Sequence, residues 1–357
     1  MPLPLARALA VANTYATAKA AGPLRCVHIT PGRVRATNGH GGCDIPCEAV
    51  TIEAVVDCTG LRKMVDAVGD GVTIRVDKKS PLKVFVEAGG ARYGLQSLAH
   101  DEAPANPEPP VAGWRPLSAA VVRALVAVSN MAGRDEASFA LSGLRLMPGW
   151  FGAATGQALG IAWVPGTVDE PITVPAGICD GLEGECECVM DGGKFWIRET
   201  KSGQARWTVA LEGTWPDSII DEVLSPARAA ADRVAFVVDA EQIVDLAAKA
   251  DVVADGLGRV LKFIVDKKSI VFEKKGRGSA GDAEFRGTIE INGGPATTII
   301  VGMEPGPIGR ACGVIAAVMP PGEAAAQMSV AGPMNPILAW GGDPVVEVLI
   351  MPFHLGE

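Results

Sequence analysis

Apolar and polar residues alternate along this chain in two distinct periods, one typical of helices and one typical of strands. Apolar residues recur at helical spacing in three stretches, which predict helices at Leu3–Ala20, Ser118–Ala132 and Ala240–Val253. After each helix, apolar and polar residues alternate between Gly-rich turns, a pattern typical of antiparallel hairpins. The strands predicted there are Leu24–Ile29, Arg33–Thr37, Ala137–Leu146, Gly152–Trp163, Val260–Ile264 and Ser269–Phe272. The pattern therefore predicts an α+β protein with antiparallel sheets.

A second pattern, a helix end followed by a turn with glycine and an acidic residue and then three strands, occurs three times. The turn glycines Gly71, Gly184 and Gly322 are spaced by roughly 110 and 140 residues, close to the length of one ordinary domain. The strands of the three copies are Val72–Val76, Leu82–Val86 and Arg92–Leu95; Cys186–Val189, Lys194–Ile197 and Ala205–Val209; and Ala326–Val330, Asn335–Trp340 and Val345–Pro352. The Pro-rich stretch His100–Pro116 is predicted to link the first two copies. We therefore predict three similar domains, 1–110, 111–222 and 223–357, each with two helices packed on antiparallel sheets.

Charge and hydropathy restrict the classes of function. The chain has 357 residues and a net charge of −9, which argues against a protein that grips nucleic acid over its whole surface. It still allows a few basic residues on a single face. No run of about 18 apolar residues occurs, and the N-terminus lacks the pattern of a signal peptide. We expect a cytoplasmic protein with free thiols and no membrane partner.

The eight cysteines raise the question of a metal site. Two groups are close in sequence: His40, Cys43 and Cys47, and Cys179, Cys186 and Cys188. Neither has the paired C-x2-C spacing of a zinc site. Cys186 and Cys188 alternate with acidic residues, as in a strand with one buried face, so we predict small buried side chains with no metal and no cofactor.

Motifs of catalysis are missing from the sequence. It has no Ser-His-Asp spacing, no phosphate-binding Gly loop and no helical His pair, which favours a protein that is not an enzyme. An enzyme that uses a cysteine or metal site near His40 stays open as a less favoured alternative.

The C-terminal residues resemble a known family. A Pro-Met-x-Pro segment at Pro333–Pro336 runs into a terminal strand that ends Met-Pro-Phe-His-Leu at 351–355, which resembles the C-terminus of bacterial sliding clamps, the processivity factors of replicative DNA polymerases. Gly156 and Leu159 match the family's Thr-Asp-Gly-His-Arg-Leu motif, although its acid, His and Arg are replaced. Leu141-Ser142-Gly143 resembles Leu-Asn-Gly, and Trp215-Pro216-Asp217 resembles Phe-Pro-Asp. The chain is identified as a divergent member of this family.

The resemblance implies half of a closed ring around duplex DNA. The helices would line the hole, where basic side chains touch phosphates without reading the base sequence. The residues expected to face DNA are Arg7, Lys19, Arg62, Lys63, Arg123 and Arg310. The partners would be double-stranded DNA of any sequence and a second copy of the chain, with a three-chain ring still open. The strand Arg92–Leu95 is expected to meet the strand Ser269–Phe272 of the other copy.

The resemblance also implies an apolar cleft between the second and third domains, into which partner proteins insert a short peptide. Glycine leaves space in such a cleft, and methionine adapts its shape to several ligands. The expected lining is Leu141, Gly156, Gln157, Leu159, Pro216, Met334, Pro336, Ile350, Met351, Pro352, Phe353 and Leu355. The partners would be a DNA polymerase, a clamp loader and other proteins with short clamp-binding peptides.

Two functions therefore stand ahead of the less favoured enzyme. The first is a DNA sliding clamp that tethers a polymerase, in the bacterial nucleoid or, for a viral protein, in the host cytoplasm. The second is a clamp-like scaffold that binds proteins but no longer encircles DNA. The sliding clamp is the leading interpretation; the acidic residues of the helix at Ala240–Val253 and the missing His and Arg of the middle motif keep the scaffold open as the alternative.

Overall fold

The computed structural model describes residues 2–69, 71–88, 90–133, 139–252, 260–278, 281–320, 323 and 325–353. The chain divides into two compact units, Met1–Ala119 with Asp180–Ala210 and Ala120–Cys179 with Leu211–Glu357. Both consist of helices and antiparallel sheets, which confirms the predicted α+β class. The three-domain boundaries at 110 and 222 stay a prediction.

The helices of the described residues are short. They are α1 Leu5–Ala12, α2 Cys58–Val68, α3 Ala119–Ser129, α4 Ser225–Ala229, α5 Ala240–Val252 and α6 Pro305–Val318. α1 is much shorter than the predicted helix Leu3–Ala20, because its C-cap lies at Asn13 and the Thr14 hydroxyl donates to the Val11 carbonyl oxygen at 2.8 Å. Residue 253, the predicted end of the third helix, lies outside the described residues.

Strands make up most of the regular structure. Those in the first part of the chain are β1 Cys26–Thr30, β2 Arg33–Thr37, β3 Gly41–Pro46, β4 Ala54–Asp57, β5 Thr73–Val76, β6 Lys83–Ala88, β7 Ala91–Leu98 and β8 Arg115–Leu117. Those in the middle are β9 Gly143–Met147, β10 Trp150–Ala154, β11 Ala158–Ala162, β12 Ile172–Pro175, β13 Cys186–Asp191, β14 Lys194–Glu199 and β15 Ala205–Val209. Those in the last part are β16 Val234–Asp239, β17 Leu261–Val265, β18 Ser269–Gly278, β19 Gly281–Glu290, β20 Ile299–Met303, β21 Ala325–Val330, β22 Ile337–Gly341 and β23 Val346–Ile350.

In the first unit, eleven of the described strands form one sheet in the order β5-β6-β7-β4-β1-β2-β3-β15-β14-β13-β8. The sheet joins strands of two predicted domains where β3 pairs with β15, with Gly42 opposite Trp207. The helices α1 and α2 pack on one face, over a core that includes Leu9, Val27 and Leu61. His28 of β1 and Val55 of β4, which are directly paired, lie on the opposite face.

In the second unit, the described strands form an eight-stranded sheet in the order β12-β9-β10-β11-β23-β22-β21-β16 and a four-stranded sheet in the order β19-β18-β17-β20. α6 packs on β11, β22 and β23, and also on α5. Gly309 and Gly313 lie against Ala247 and Val244 of α5, so the absence of a side chain lets the two helices approach closely.

Several predicted strands differ from the structure. The segment Gly152–Trp163 is a hairpin, β10 and β11, because the Thr155 hydroxyl accepts the N–H groups of Gln157 and Ala158 and turns the chain. The predicted strand Ala137–Leu146 begins only at Gly143, and residues 134–138 lie outside the described residues. The last strand ends at Ile350 rather than Pro352.

Candidate functional site

The eight-stranded sheet presents an apolar face on the side opposite α6. Leu159 of β11, Leu349 of β23 and Leu338 of β22 are directly paired across three neighbouring strands. All three are buried in one cluster with Trp215, which is 1% exposed. We call this surface the Trp215 face.

The chain that follows Thr214 covers part of the Trp215 face. Trp215 packs against Trp150 with 5.8 Å between the ring centres. Beside it, the Arg145 guanidinium donates two hydrogen bonds to the Asp217 carboxylate, from Nε at 2.9 Å and from Nη2 at 2.5 Å. Such a two-point contact fixes orientation as well as distance. It therefore anchors the covering segment to β9.

The covering segment continues as one π-helical turn, Ile220–Leu224, and then α4. Leu224 and Ala227 point into the buried cluster. The Arg228 side chain of α4 forms a two-point ion pair with Glu347. Its guanidinium lies 5.1 Å from the centre of the Trp163 ring. Hydrogen bonds with Glu347 raise the pKa of Arg228, so the charge is held in place.

Beside α4 the Trp215 face opens into a groove of about 300 Å³. Its lining consists of Trp163, Arg228, Arg233, Ser329, Leu338, Trp340, Val345 and Glu347. One wall is fixed by Arg233, which donates to the carbonyl oxygens of Ser329 and Pro336 at 2.9 Å each. The combination of indole rings with a few fixed charges is typical of a site for an extended ligand with both apolar and polar groups.

The end of β23 forms a second exposed apolar area. The Met351 N–H donates to the Gln157 carbonyl oxygen at 2.8 Å, and the Phe353 N–H donates to that of Gly302 at 2.7 Å. Met351 is 36% exposed. Gly156 lies at the tip of the neighbouring turn, where an added Cβ would meet no atom within 4 Å. The turn is therefore open to solvent beside Met351.

The predicted cleft residues have different environments. Leu141 packs against the cluster that contains Leu159 and Trp215. Pro216 is exposed on the covering segment, and Met334, which is 57% exposed, comes shortly before β22 with the half-buried Pro336. Pro352 and Phe353 are half-buried, whereas Leu355 lies outside the described residues.

Ile350 corrects the predicted lining. It is 1% exposed and pairs with Ala158 and Ile337, on the face of the sheet that α6 covers. It is therefore a core residue. Leu349 is also 1% exposed but lies on the Trp215 face, and the two-residue period of a strand could have identified it, because Leu349 and Met351 have the same parity.

The basic residues predicted to face DNA in the first unit are all partly or fully exposed. Arg7 lies on α1 and forms an ion pair with Glu183 at 3.0 Å. Lys19 is exposed but lies beyond the end of α1. Arg62 and Lys63 lie on α2, where the Arg62 guanidinium is 3.4 Å from the Asp66 carboxylate. Two of the four positive charges thus have an acidic neighbour.

In the second unit, Arg123 on α3 and Arg310 on α6 are exposed. α5 has the opposite character, since it carries Glu241, Asp245 and Asp251 on its exposed surface and its Lys249 is paired with Asp245 at 2.5 Å. The helices of this unit therefore present positive charge at isolated points.

Solved structures resemble this chain over nearly its whole length. The DNA polymerase III beta subunit of Thermotoga maritima is 14% identical with a TM-score of 0.75, over 99% of this chain and 97% of that one. The DNA polymerase sliding clamp of Bacillus subtilis is 16% identical with a TM-score of 0.75, over the same shares of the two chains. A DnaN sliding clamp of Pseudomonas aeruginosa bound to griselimycin is 16% identical with a TM-score of 0.74, over 98% and 97%. The fold is that of the bacterial sliding clamp. No protein-family model and no curated protein matches the sequence.

The cysteines of this clamp fold are buried. Cys43, Cys186 and Cys188 are each no more than 1% exposed, and burial raises the pKa of each thiol to about 12. None of the eight cysteines is in a disulfide. His40 is exposed on a turn, whereas Cys43 and Cys47 are buried, so the grouping that is close in sequence does not form one accessible site.

The length and apolar character of the helices bear on whether the chain could span a membrane. Among the described residues, none has the length and apolar character needed to span a bilayer.

Proposed function

We propose that this chain is a DNA sliding clamp, which encircles duplex DNA as a head-to-tail dimer and tethers a DNA polymerase through the exposed apolar area at Met351 and the groove beside it. The observation that carries the proposal is the clamp fold over 97–99% of both chains in the comparisons. A fold of this type holds its partner by topology, so it requires no catalytic group. The clamp would act in the cytoplasm, on nucleoid DNA or, for a viral protein, in the host cell.

The peptide site is supported by the environment of Met351. A clamp-binding peptide would place apolar side chains beside Met351 and the Gly156 turn and would continue into the groove lined by Trp163 and Trp340. Both areas lie on one compact unit and are fixed by backbone hydrogen bonds and ion pairs. Preformed sites bind with a smaller loss of conformational entropy. Polymerase, clamp loader and other peptide-bearing proteins would compete for this surface.

The DNA contact is supported by exposed basic residues on the helices. Arg62, Lys63, Arg123 and Arg310 lie on helices and reach solvent. With so few contacts and a net charge of −9, affinity for DNA with free ends would be weak and sensitive to salt. Retention would come from ring closure.

The dimer is supported by an open strand edge in each unit. β7 pairs with β6 along its length but with β4 only at Ser97 and Leu98, so one edge of residues 91–96 has no described partner strand. The predicted partner Ser269–Phe272 is wrong, because these residues belong to β18, which is paired on both sides with β17 and β19. β19 is the long edge strand of that sheet and carries the exposed Glu290. We propose that β7 pairs with β19 of the other copy. The positive charge of Arg92 on β7 would then be attracted to acidic residues of β19 such as Glu290.

The decisive experiment is retention on circular DNA. The protein is loaded onto nicked circular DNA with a clamp loader of the source organism, and the DNA is then linearised. A clamp stays on the circle through a salt wash and slides off once the DNA has ends. A protein that binds partner peptides but is never retained on circles would be the scaffold of the alternative proposal.

A further inference from the structure

Three potential metal ligands lie close together in the first unit, on the face of the eleven-stranded sheet opposite α1 and α2. β1 pairs with β4 so that His28 lies opposite Val55, and β4 pairs with β7 so that Val55 lies opposite Leu98. Glu53 precedes Val55 by two positions, and His100 follows Leu98 by two. Glu53 lies directly before β4, and His100 opens the short 3-10 helix His100–Glu102 that follows β7. The register therefore brings His28, Glu53 and His100 together, although they are far apart in sequence.

The distances between these groups suit a shared metal ion. His28 Nε2 and His100 Nδ1 are each 3.5 Å from Glu53 Oε1. All three ligand atoms lie within 4.8 Å of one another. Zinc binds nitrogen and oxygen at about 2.0–2.2 Å in tetrahedral geometry, so two of its ligands lie about 3.4 Å apart. A distance of 3.5 Å is long for a hydrogen bond but close to this ligand separation.

His28, the most buried of the three residues, has a ring nitrogen without a hydrogen-bond partner. His28 Nε2 is inaccessible to solvent and has no hydrogen-bond partner. Leaving a buried polar atom without a partner costs about 1–3 kcal/mol. A bond to a metal ion would satisfy it.

One positive charge lies close to the cluster and is compensated. Arg35 of β2 is paired with His28 in the sheet register. Its Nη1 is 2.8 Å from the Glu108 carboxylate, and its Nε is 3.4 Å from the Asp44 carboxylate. Both acids also pair with Arg33, at 3.0 and 3.5 Å, so the two arginines and the two acids balance in charge, which weakens the repulsion of a bound cation.

We propose that His28, Glu53 and His100 bind one divalent transition-metal ion, with zinc as the natural occupant. Two imidazoles and one carboxylate are ligands that zinc accepts, with a fourth position left for water. The site is reachable, because the side chains of Glu53 and His100 are 51% and 53% exposed. A bound ion would join β1, the start of β4 and the end of β7. It would stabilise this part of the sheet whatever the function of the chain.

The test is metal titration of the full chain, prepared without a histidine tag and treated with chelator. Zinc binding is measured by calorimetry, and cobalt binding by the visible absorption of tetrahedral cobalt. The variants are Glu53→Gln and His100→Ala, whose exposed positions leave the fold intact, and the control is His40→Ala, an exposed histidine outside the cluster. We expect one ion per chain, about tenfold or more weaker binding in both variants, and unchanged binding in the control.

A thermal measurement separates binding at this site from binding elsewhere. Zinc should raise the Tm of the native chain and of His40→Ala, and should raise it less in the two cluster variants. The buried cysteines do not compete in the folded state. Absence of binding at 100 micromolar zinc would overturn the proposal, and so would equal affinity in the native chain and the Glu53→Gln and His100→Ala variants.

Discussion

Met351 is tied to Gln157 by a hydrogen bond from its N–H to the Gln157 carbonyl oxygen, at 2.8 Å. This bond extends the pairing of β23 with β11 by one residue, past the point where β23 ends. It holds the Met351 side chain on the same parity as the buried Leu349 but in a position that is 36% exposed. Met351 is therefore where the apolar row of β23 reaches solvent, as expected for a residue that receives a ligand.

We predict that Met351→Ala weakens binding of a polymerase-derived peptide with a glutamine followed by aliphatic and aromatic residues. Loss of a central apolar contact commonly costs 1–2 kcal/mol, or about tenfold in Kd or somewhat more. Calorimetry with the purified peptide measures this. Met190→Ala is the matched control, since Met190 is 43% exposed on the other unit. Equal affinity in the native chain and Met351→Ala would remove Met351 from the site.

Phe353→Ala tests the position after the strand. Because the Phe353 N–H is bonded to Gly302, the backbone should keep its place when the ring is removed. We expect the peptide to bind the variant more weakly, and the Tm of the variant to stay within about one or two degrees of the native value. A large drop in Tm would indicate instead that the ring packs the core.

Asp217→Asn should loosen the segment that covers the Trp215 face. Arg145 is only 15% exposed and would lose its charged partner, so we expect a loss of about 1–2 kcal/mol in the free energy of unfolding, measured with urea. The control is Asp221→Asn, an exposed acid on the same segment. If both variants unfold at the same urea concentration as the native chain, the ion pair does not anchor the segment.

The thiols should be inert in the folded protein. Burial raises the pKa of Cys43, Cys58 and Cys312 to about 12, so at pH 8 only about one thiol in ten thousand is ionised at each. A thiol reagent should label none of the eight cysteines at first and all eight after unfolding in guanidinium. Rapid labelling of any cysteine in the native chain would contradict its buried placement.

Asp266 should make the second unit sensitive to acid. Its carboxylate accepts the N–H groups of Lys268 and Ser269 at 2.8 and 2.7 Å, and hydrogen bonds from Lys268 and Ser269 lower its pKa below the ordinary value. The unfolded chain then binds the proton more tightly than the folded chain. The stabilising contribution is complete above the ordinary pKa near 4 and is lost as the pH falls through the lowered folded value.

The measurement is the urea midpoint between pH 6 and pH 3. The native chain should lose more stability over this range than Asp266→Asn, which has no proton to bind at that position. Asp245→Asn, on an exposed helix position, is the control. Parallel pH profiles of stability in the native chain and Asp266→Asn would show that Asp266 is not the source of the acid sensitivity.

Local sequence patterns predicted some strands and helices closely and others poorly. The strands β13, β14 and β15 were predicted to within two residues at each end, although only β13 has an alternating pattern of burial. The first helix was extended too far because the apolar pattern continues through Tyr15 and Ala16, which are buried in turns. Tertiary packing, rather than helical periodicity, accounts for those positions.

The candidate sites differ in how far the sequence could reveal them. The Met351 region was predictable from the resemblance of the tail. Ile350 was chosen in place of Leu349 because apolar character alone does not say which face a residue occupies. The cluster of His28, Glu53 and His100 had no local signal, since it depends on the register of three strands that are not consecutive in sequence.

The pairing of β3 with β15 has a consequence for synthesis of the protein. The edge of Gly41–Pro46 stays without its neighbour until Ala205–Val209 has left the ribosome. During that interval the nascent chain carries an unpaired strand edge, a surface prone to pairing with other chains. Such distant pairing also slows folding. We therefore expect production of this protein to depend on chaperone capacity and growth temperature more strongly than its final stability would suggest.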